Sequence, residues 1–310
     1  MPGSQKPVTG MTKLGKVSPT LAFGVACLSI ATYSCMDVVM KGLSIDRGAY
    51  NAMLWRSVLG LVLSGALFVA RRTRWPARAT IALHAKRSVA GGLSMLFFFW
   101  GLVRVPMAEG VALTFLAPII AILLAVPMLG ERLRRGAIVA CVLAFAGVLV
   151  IVAGKAGEDA GAASMQGALA IVLASLFYAY SLVMLRRSAL AAGPIEITFF
   201  TNLFVLALFA AAAPLLAELP TPAQAARVTL ASVLQIISSL LLAWAYAHAE
   251  AQRLAPVEFT AFVWAAILGA VVFGEKVLPL TILGAGMIIA GCAIAARQRG
   301  LPAQATEALA

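Results

Sequence analysis

Residues 113–154 read LTFLAPIIAILLAVPMLGERLRRGAIVACVLAFAGVLVIVAG. They contain two apolar runs, each near the roughly 20 residues that a helix needs to cross a hydrocarbon core of about 30 Å. Between the runs lies a short turn of Gly130, Glu131 and Arg132, which is followed by further arginines. This pattern predicts a transmembrane helical hairpin.

The hairpin pattern occurs a second time, 144 positions further along the chain. Residues 257–296 read VEFTAFVWAAILGAVVFGEKVLPLTILGAGMIIAGCAIAA. The pairs that align at this offset, or at 145, are Gly130 with Gly274, Glu131 with Glu275, Arg132 with Lys276, Gly147 with Gly291, Tyr33 with Tyr178, and Lys41 with Arg186. The chain is therefore predicted to be an internal duplication.

The composition excludes a water-soluble globular protein. Of the 310 residues, 62% are hydrophobic and 12% are charged, and the mean hydropathy is +0.98, whereas soluble domains have about 25% charged residues. The formal charge of +12 lies in short basic clusters between apolar runs, which indicates membrane topology rather than nucleic-acid binding. The cysteines lie in apolar runs without a Cys-x-x-Cys spacing, so we expect neither disulfides nor metal clusters.

Ten apolar runs are long enough to be membrane spans. Helices are predicted for all of them, because lipid-facing backbone groups must be hydrogen-bonded within their own segment. The predicted spans are 19–41, 49–70, 83–103, 107–129, 135–153, 165–185, 195–217, 228–248, 255–273 and 279–296. The first span lacks a clear cleavage site and is predicted to be an uncleaved helix. Only 71–82 and 154–164 are predicted to be substantial loops.

The distribution of Lys and Arg predicts the orientation of the spans. With the N-terminus inside, seventeen of these residues lie on the cytoplasmic side and six on the outer side, while Arg56 lies within a span. Cytoplasmic loops are enriched in basic residues, so both termini are predicted to be cytoplasmic in a multi-pass protein of the cell inner membrane. Because each half has five spans, the second half enters the membrane from the opposite side. Inverted repeats of this kind are typical of secondary transporters.

Two segments resemble a known family. Residues 97–133, FFFWGLVRVPMAEGVALTFLAPIIAILLAVPMLGERL, resemble the second half of an EamA repeat of the drug/metabolite transporter superfamily, and residues 243–277, AWAYAHAEAQRLAPVEFTAFVWAAILGAVVFGEKV, resemble the second copy. The resemblance implies an all-α membrane protein with ten transmembrane helices in two inverted five-helix EamA repeats, at 19–153 and 165–297. One departure is that Pro118 aligns with Phe262, which argues against a symmetric kink in the two halves.

Asp37 and Arg56 are the strongest candidates for function. Both are predicted to lie within spans at comparable depth, where a charge costs about 2.5–3.5 kcal/mol on insertion scales. In the functional hypothesis, Arg56 receives an anionic group of the substrate and Asp37 a cation or a proton. The alternatives are a static Asp37–Arg56 ion pair, or an Asp37–Lys41 pair at i, i+4 with Arg56 extending outward.

Six further residues are candidates for substrate binding. Glu258 lies one turn into the ninth span, where it would take a proton, contact a cationic group or only favour the helix N-terminus. The aromatic candidates, which would stack on an apolar substrate, are Tyr33, Trp100, Tyr178, Trp244 and Trp264. Lipid anchoring or helix packing explains these aromatic residues equally well.

Two features are predicted to be structural. In the Gly-Glu-basic turns, Gly130 and Gly274 end one helix and the Glu lies near the N-terminus of the next, which is worth about 0.3–1 kcal/mol. The fifth and tenth spans are rich in small residues, which favour close backbone approach. We assign these two spans to scaffolding or to contact in a homodimer.

The sequence predicts a secondary transporter that moves a small organic metabolite, amino-acid-like or otherwise amphipathic, across the cytoplasmic membrane by alternating access. The alternative is a multidrug or toxic-compound exporter of the same fold. An intramembrane enzyme is disfavoured because the sequence has no HExxH or GxSxG motif, and a channel because it has no filter motif or charged ring. No catalytic residue, metal or cofactor is predicted. The expected partners are a small-molecule substrate and membrane lipid, without nucleic acid.

Reporter fusions test the predicted topology. A fusion within 154–164 should report the outside, and fusions within 71–82 and after Ala310 should report the cytoplasm, because an odd number of predicted spans separates the two loops. A cytoplasmic signal from 154–164 would contradict the inverted arrangement of five plus five spans.

Overall fold

The structure, a computed structural model, describes residues 19–72, 75–129, 135–156, 162–248 and 254–298. This part of the chain is helical, with short connections. In chain order the helices are α1 (Pro19–Ala70), α2 (Arg78–Leu102), α3 (Met107–Thr114), α4 (Leu116–Leu129), α5 (Arg135–Ala156), α6 (Ala162–Ala191), α7 (Pro194–Ala210), α8 (Ala213–Leu216), α9 (Pro222–His248), α10 (Thr260–Phe273) and α11 (Pro279–Gln298), with a 3-10 helix (Ala255–Phe259) directly before α10. The predicted turn at 130–132 and residues 157–161 of the predicted outer loop lie outside the described residues.

The described helices account for the ten predicted spans, so the all-α class is confirmed. Helix α1 supplies two spans, α3 and α4 together form the fourth, and the 3-10 helix with α10 forms the ninth. Four segments have the length and hydropathy to cross a membrane on their own: Thr20–Ala70, Met107–Met128, Ala162–Leu185 and Pro222–Leu242. The third and eighth spans start earlier than predicted, at Arg78 and Pro222, because the helices continue beyond their apolar cores.

Helix α1 reverses direction at a single residue. Gly48 has φ 79° and ψ 151° inside this 52-residue helix, a conformation that residues other than glycine rarely adopt. It separates a first arm (19–47) from a second arm (49–70). The connection predicted at 42–48 is therefore helical up to Gly48, since one glycine is enough to redirect the chain.

Contacts with α9 show that the two arms form a hairpin. Asp46, next to the break, pairs with Arg227. Further along α9, Arg56 of the second arm contacts Gln235 and Ser29 of the first arm contacts Ser238. Both arms therefore extend from Gly48 in the same direction along α9.

The two halves of the chain contact each other through equivalent pairs of helices. Helix α1 packs on α9, and α2 packs on α6. The hydroxyl of Ser238 donates to the carbonyl of Ser29 over 3.0 Å, and that of Ser94 donates to the carbonyl of Ala174 over 2.9 Å. The two donors are 144 positions apart and the two acceptors 145, the offsets of the sequence repeat. The duplication therefore recurs in the packing.

Equivalent spans of the two halves run in opposite directions. The backbone N–H of Met107, at the start of the fourth span, donates over 2.6 Å to Oε2 of Glu275, which follows the ninth span. The start of one span thus lies beside the end of its equivalent. This contact lies at the end of the bundle that contains Gly48, here called the Gly48 end. The opposite end contains His84 and is called the His84 end.

The fourth and ninth spans are both interrupted, and at equivalent residues. Phe115 separates α3 from α4, and Phe259 is the last residue of the 3-10 helix before α10. They are 144 positions apart in the sequence, and their rings meet edge to face with centroids 5.6 Å apart. These interruptions of the helical hydrogen bonding lie at equivalent residues although Pro118 aligns with Phe262. The absence of a symmetric kink stays a prediction.

Helices α5 and α11 pack closely through glycines. A Cβ atom on Gly147 would lie 2.6 Å from the carbonyl oxygen of Gly284, and one on Gly284 would lie 2.5 Å from that of Gly147. Such distances are possible only without side chains. The small residues of the fifth and tenth spans thus join the two halves of one chain, while contact in a homodimer stays a prediction.

Alanine substitutions on α11 test this contact. Gly284→Ala should lower the stability of the detergent-solubilised protein by about 1–3 kcal/mol, because overpacking forces the helices apart. Gly286→Ala is the matched control, since no heavy atom lies within 4 Å of its added Cβ. Thermal unfolding should show a lower midpoint for Gly284→Ala and an unchanged or slightly higher one for Gly286→Ala. Equal midpoints would contradict the packing described here.

Candidate functional site

Arg56 is buried inside the bundle and bonded to two other helices. The residue is 9% exposed. Its Nη1 donates to Oε1 of Gln235 on α9 over 2.5 Å, and its Nη2 lies 2.8 Å from the sulfur of Met95 on α2. Its Nε is buried without a hydrogen-bond partner among the described residues. The alternative in which Arg56 extends outward to the membrane surface is therefore wrong.

Asp37 lies near Arg56 without being paired to it. The charges of the two residues act on each other, but in the described part of the chain the Asp37 carboxylate forms neither an ion pair nor a hydrogen bond. Lys41, the other proposed partner, is bonded to Glu275 instead. Both static alternatives for Asp37 are thus wrong, and its half-buried carboxylate is unpaired among the described residues.

Two equivalent tyrosines continue this polar region into the second half. Tyr33 and Tyr178 are 7% and 6% exposed, and the charge of Asp37 acts on Tyr33. The Tyr178 hydroxyl is buried and has no hydrogen-bond partner among the described residues. Tyr33 and Glu258 both act electrostatically on Tyr178. The interacting polar side chains therefore extend from Arg56 on the second arm of α1 to Glu258 at the start of the ninth span.

These residues form one group, which we call the central cluster: Tyr33, Asp37, Arg56, Tyr178, Gln235 and Glu258. It draws side chains from α1, α6, α9 and the 3-10 helix, and so from both repeats. Five of the eight residues predicted from the sequence belong to it. Its chemistry is that of a site with one cation, two carboxylates and two phenols in a largely apolar bundle.

The three predicted tryptophans lie elsewhere. Trp100 is 36% exposed, and the guanidinium of Arg104 lies 3.4 Å from its ring centroid. Trp244 is equally exposed and stacks on His248 at 4.3 Å. Trp264 packs on a separate small apolar cluster that includes Ala26 and Leu254. No contact of these tryptophans in the described part of the chain connects them with the central cluster.

Two residues that contact Arg56 were not predicted from the sequence. Gln235 is a single amide in the apolar run Val-Leu-Gln-Ile-Ile of α9, so its polarity inside a span was a detectable signal. Met95 gave no signal, because a methionine in an apolar helix is usually a packing residue. Both side chains lie on helices far from Arg56 in sequence.

A second polar group ties α2 to α7 at the His84 end. Nε2 of His84 lies 3.2 Å from Oε1 of Glu196, and the imidazole stacks on Phe200 at 5.2 Å. Arg87, 2% exposed, donates to Thr201 and to the Ile197 carbonyl. His84 and Arg87 are buried, and this group joins α2 to α7. Among the described residues, no three His, Cys, Asp or Glu side chains are arranged to hold a metal ion.

Comparison with known proteins gives a consistent result over nearly the whole chain. The model of the EamA-like transporter family matches residues 20–153 and 165–297. An uncharacterized transporter of Helicobacter pylori J99 is 26% identical over 280 residues, covering 87% of this chain and 93% of that protein. The pseudopaline exporter CntI of Pseudomonas aeruginosa UCBPP-PA14 is 25% identical over 281 residues, covering 89% of this chain and 95% of that protein.

A solved crystal structure has the same fold. It superposes with a TM-score of 0.57 at 20% sequence identity, covering 91% of this chain and 99% of the other. At that identity the likeness concerns the fold alone. The family match, in contrast, covers both repeats and identifies a membrane transporter of small molecules rather than an enzyme. The chain therefore belongs to the EamA-like transporter family.

Proposed function

We propose that the protein is a secondary transporter of a small amphipathic solute that carries both a cationic and an anionic group, as amino acids do. Arg56 binds the anionic group and Asp37 the cationic group. The observation that carries this proposal is that Arg56 is buried in the bundle and Asp37 lies near it, without an ion pair between the two side chains. The protein crosses the cytoplasmic membrane with both termini on the cytoplasmic side.

The energetics of buried charge favour a ligand between these two residues. An ionised side chain within a membrane span costs about 2.5–3.5 kcal/mol and is normally paired. Asp37 has no such partner among the described residues, and Arg56 retains a buried Nε donor. A zwitterionic solute would supply a cation to the first and an acceptor to the second. Binding would thus compensate both charges at once.

Gln235 and Met95 act as positioning residues in this proposal. They hold two of the three guanidinium nitrogens of Arg56. Without them, the guanidinium would be free to turn toward Asp37 and form the ion pair that the structure lacks. A direct pair would satisfy both charges and would close the space for substrate. The amide of Gln235 suits this role, because it accepts a hydrogen bond without neutralising Arg56.

The inverted repeat supports alternating access. We take residues 19–153 and 165–297 as the two repeats, with the central cluster drawn from both. Interrupted helices near the middle of the bundle are common at transporter binding sites, and here Phe115 and Phe259 mark interruptions at equivalent positions. Rocking one repeat against the other would expose the cluster to each side in turn.

Export is the second candidate, in the form of a multidrug or toxic-compound exporter with the same site. One relative is named a pseudopaline exporter, which favours outward transport of an organic solute. The two candidates differ in direction and in breadth of substrate. Uptake and efflux measured in vesicles of known orientation distinguish them.

Counterflow in proteoliposomes tests the function and the charged pair together. Liposomes loaded with unlabelled amino acids should accumulate the corresponding labelled compound, because a carrier exchanges solutes across the membrane. Asp37→Asn and Arg56→Gln should each reduce the initial rate at least roughly tenfold, since removing one charge leaves the other uncompensated. The double variant should stay inactive, because both substrate contacts are gone.

The transport rates of these variants distinguish a structural role of the Asp37–Arg56 pair from contact with substrate. Recovery of transport in the double variant would mean that the pair is structural and does not contact substrate. Near-native rates in both single variants would contradict either role. Correct insertion of every variant is checked by its elution as a single symmetric species in size-exclusion chromatography.

Substitution of Gln235 tests the positioning role. Gln235→Leu should raise the KM for counterflow roughly tenfold or more with a smaller change in maximal rate, because Arg56 would pair with Asp37 before substrate binds. Gln166→Leu, at an exposed position of α6, is the matched control and should leave both values unchanged. A lower maximal rate at unchanged KM would contradict a role in presenting Arg56 to the substrate.

A further inference from the structure

Lys41 is a buried lysine near the Gly48 end of the first arm. It is 3% exposed. Its Nζ forms an ion pair with Oε1 of Glu275 and donates to the carbonyl of Val105 over 2.8 Å. The same ammonium lies 5.1 Å from the ring centroid of Phe273. A lysine is fully buried only when it has such partners.

Glu275 is held in place by the end of α10. Gly274 adopts the left-handed conformation with φ 66°, and the N–H groups of Gly274 and Glu275 bond to the carbonyls of Ala270 and Gly269 at 3.1 Å. This cap places one carboxylate oxygen on Lys41 and the other on the N–H of Met107, the first residue of α3. A carboxylate at a helix N-terminus is favourable.

The sequence prediction for this turn was therefore half right. Gly274 does end a helix, as predicted. Glu275, however, caps α3 of the other repeat rather than the N-terminus of the helix that follows it. The reason is that the left-handed residue turns the chain back across the bundle end.

We propose that Lys41, Glu275 and the N-terminus of α3 form a latch that closes the Gly48 end over the central cluster and opens in each transport cycle. The latch joins the first, fourth and ninth spans. Asp37 lies four residues before Lys41 and hence on the same face of the helix, one turn deeper. A solute that reaches Asp37 from the Gly48 end must therefore pass the latch. This inference rests on the proposed alternating access.

The ninth span is the element that moves away when the latch opens. Two other partners of Lys41 lie outside the ninth span: the carbonyl of Val105, just before the fourth span, and Glu109 in its first turn, whose charge also acts on Lys41. Lys41 thus keeps partners when Glu275 leaves. The separation of the first and ninth spans at the Gly48 end is the distance that reports opening.

Other ion pairs at the same end are not suited to this role. Arg47 pairs with Glu218 and Asp46 with Arg227, but these side chains are between 40% and 57% exposed. Water replaces exposed pairs at little cost. The Lys41 and Glu275 side chains are only 4% and 16% exposed, so their separation requires the entry of water and a change in helix positions.

Distance measurement between spin labels tests the latch. Labels are attached to Ile45→Cys on the first arm and Val272→Cys on α10, both about half exposed at 51% and 52%, after the native cysteines are replaced by serine. Lys41→Met should increase the fraction of molecules with a longer Ile45–Val272 distance about tenfold, which is equivalent to about 1.4 kcal/mol. Glu275→Gln, which keeps an acceptor for the Met107 N–H, should shift it in the same direction. Lys41→Arg, which keeps the cation, should stay close to the parent.

Two controls make the result specific. Labels at Val142→Cys on α5 and Leu283→Cys on α11, also exposed, report the scaffold and should not change. Arg47→Met removes a charge at the same end but from an exposed pair, and it should leave the Ile45–Val272 distance unchanged.

The latch is overturned if Lys41→Met and Glu275→Gln keep the parent distance distribution. It is also overturned if the Val142–Leu283 distance distribution broadens as much as the Ile45–Val272 distribution, since the Lys41–Glu275 pair would then only support the fold. A similar increase of the Ile45–Val272 distance in Arg47→Met would also contradict the latch, since any loss of charge at this end would then have the same effect. Failure of the proposed function is distinct from these results: the parent protein would show no counterflow, whatever the distances are.

Discussion

The hydrocarbon core offers no water to polar groups, so every charge inside the bundle needs a partner. Most of the described polar side chains comply. Lys41 has Glu275, Arg87 has Thr201, and Ser238 bonds across to Ser29. Among the described residues, the Asp37 carboxylate has neither an ion pair nor a hydrogen bond, although it lies near Arg56. An unpaired carboxylate inside a membrane span is a candidate position for a charged group of a ligand.

The central cluster combines residues from both halves of the chain. One pair of helix contacts that joins the halves occurs twice: α1 packs on α9, and α2 packs on α6, each with a hydrogen bond from a serine hydroxyl to a backbone carbonyl. The central cluster lacks this regularity. Tyr33 and Tyr178 are equivalent, whereas Arg56 on the second span has Thr201 at the offset of 145 on the seventh. The packing of the helices thus follows the repeat, whereas the composition of the central cluster does not.

The sequence predicted the all-α fold well because span length and the repeat can be read directly along the chain. Asp37 and Arg56 could be proposed as candidates for the same reason, since charge and depth can be read along one helix. Their partners were not predictable, because the contact of Arg56 with Gln235 depends on how α1 and α9 are rotated against each other. The tryptophans illustrate the same limit: Trp100 has the predicted depth but carries Arg104 on its ring, away from the cluster.

The central claim is that Asp37 and Arg56 bind the two charged groups of one solute, and ligand-induced stabilisation tests it most directly. The melting temperature of the purified protein is measured with a panel of L-amino acids, and then with the amine and the carboxylic acid that each lack one charged group. The account predicts that at least one amino acid stabilises the protein, by about 2.7 kcal/mol at one hundred times its Kd. Neither single-charge analogue should stabilise the protein as much. No compound should stabilise the Asp37→Asn variant as much. Equal stabilisation by an analogue without the amine, or no stabilisation by any amino acid, would contradict the account.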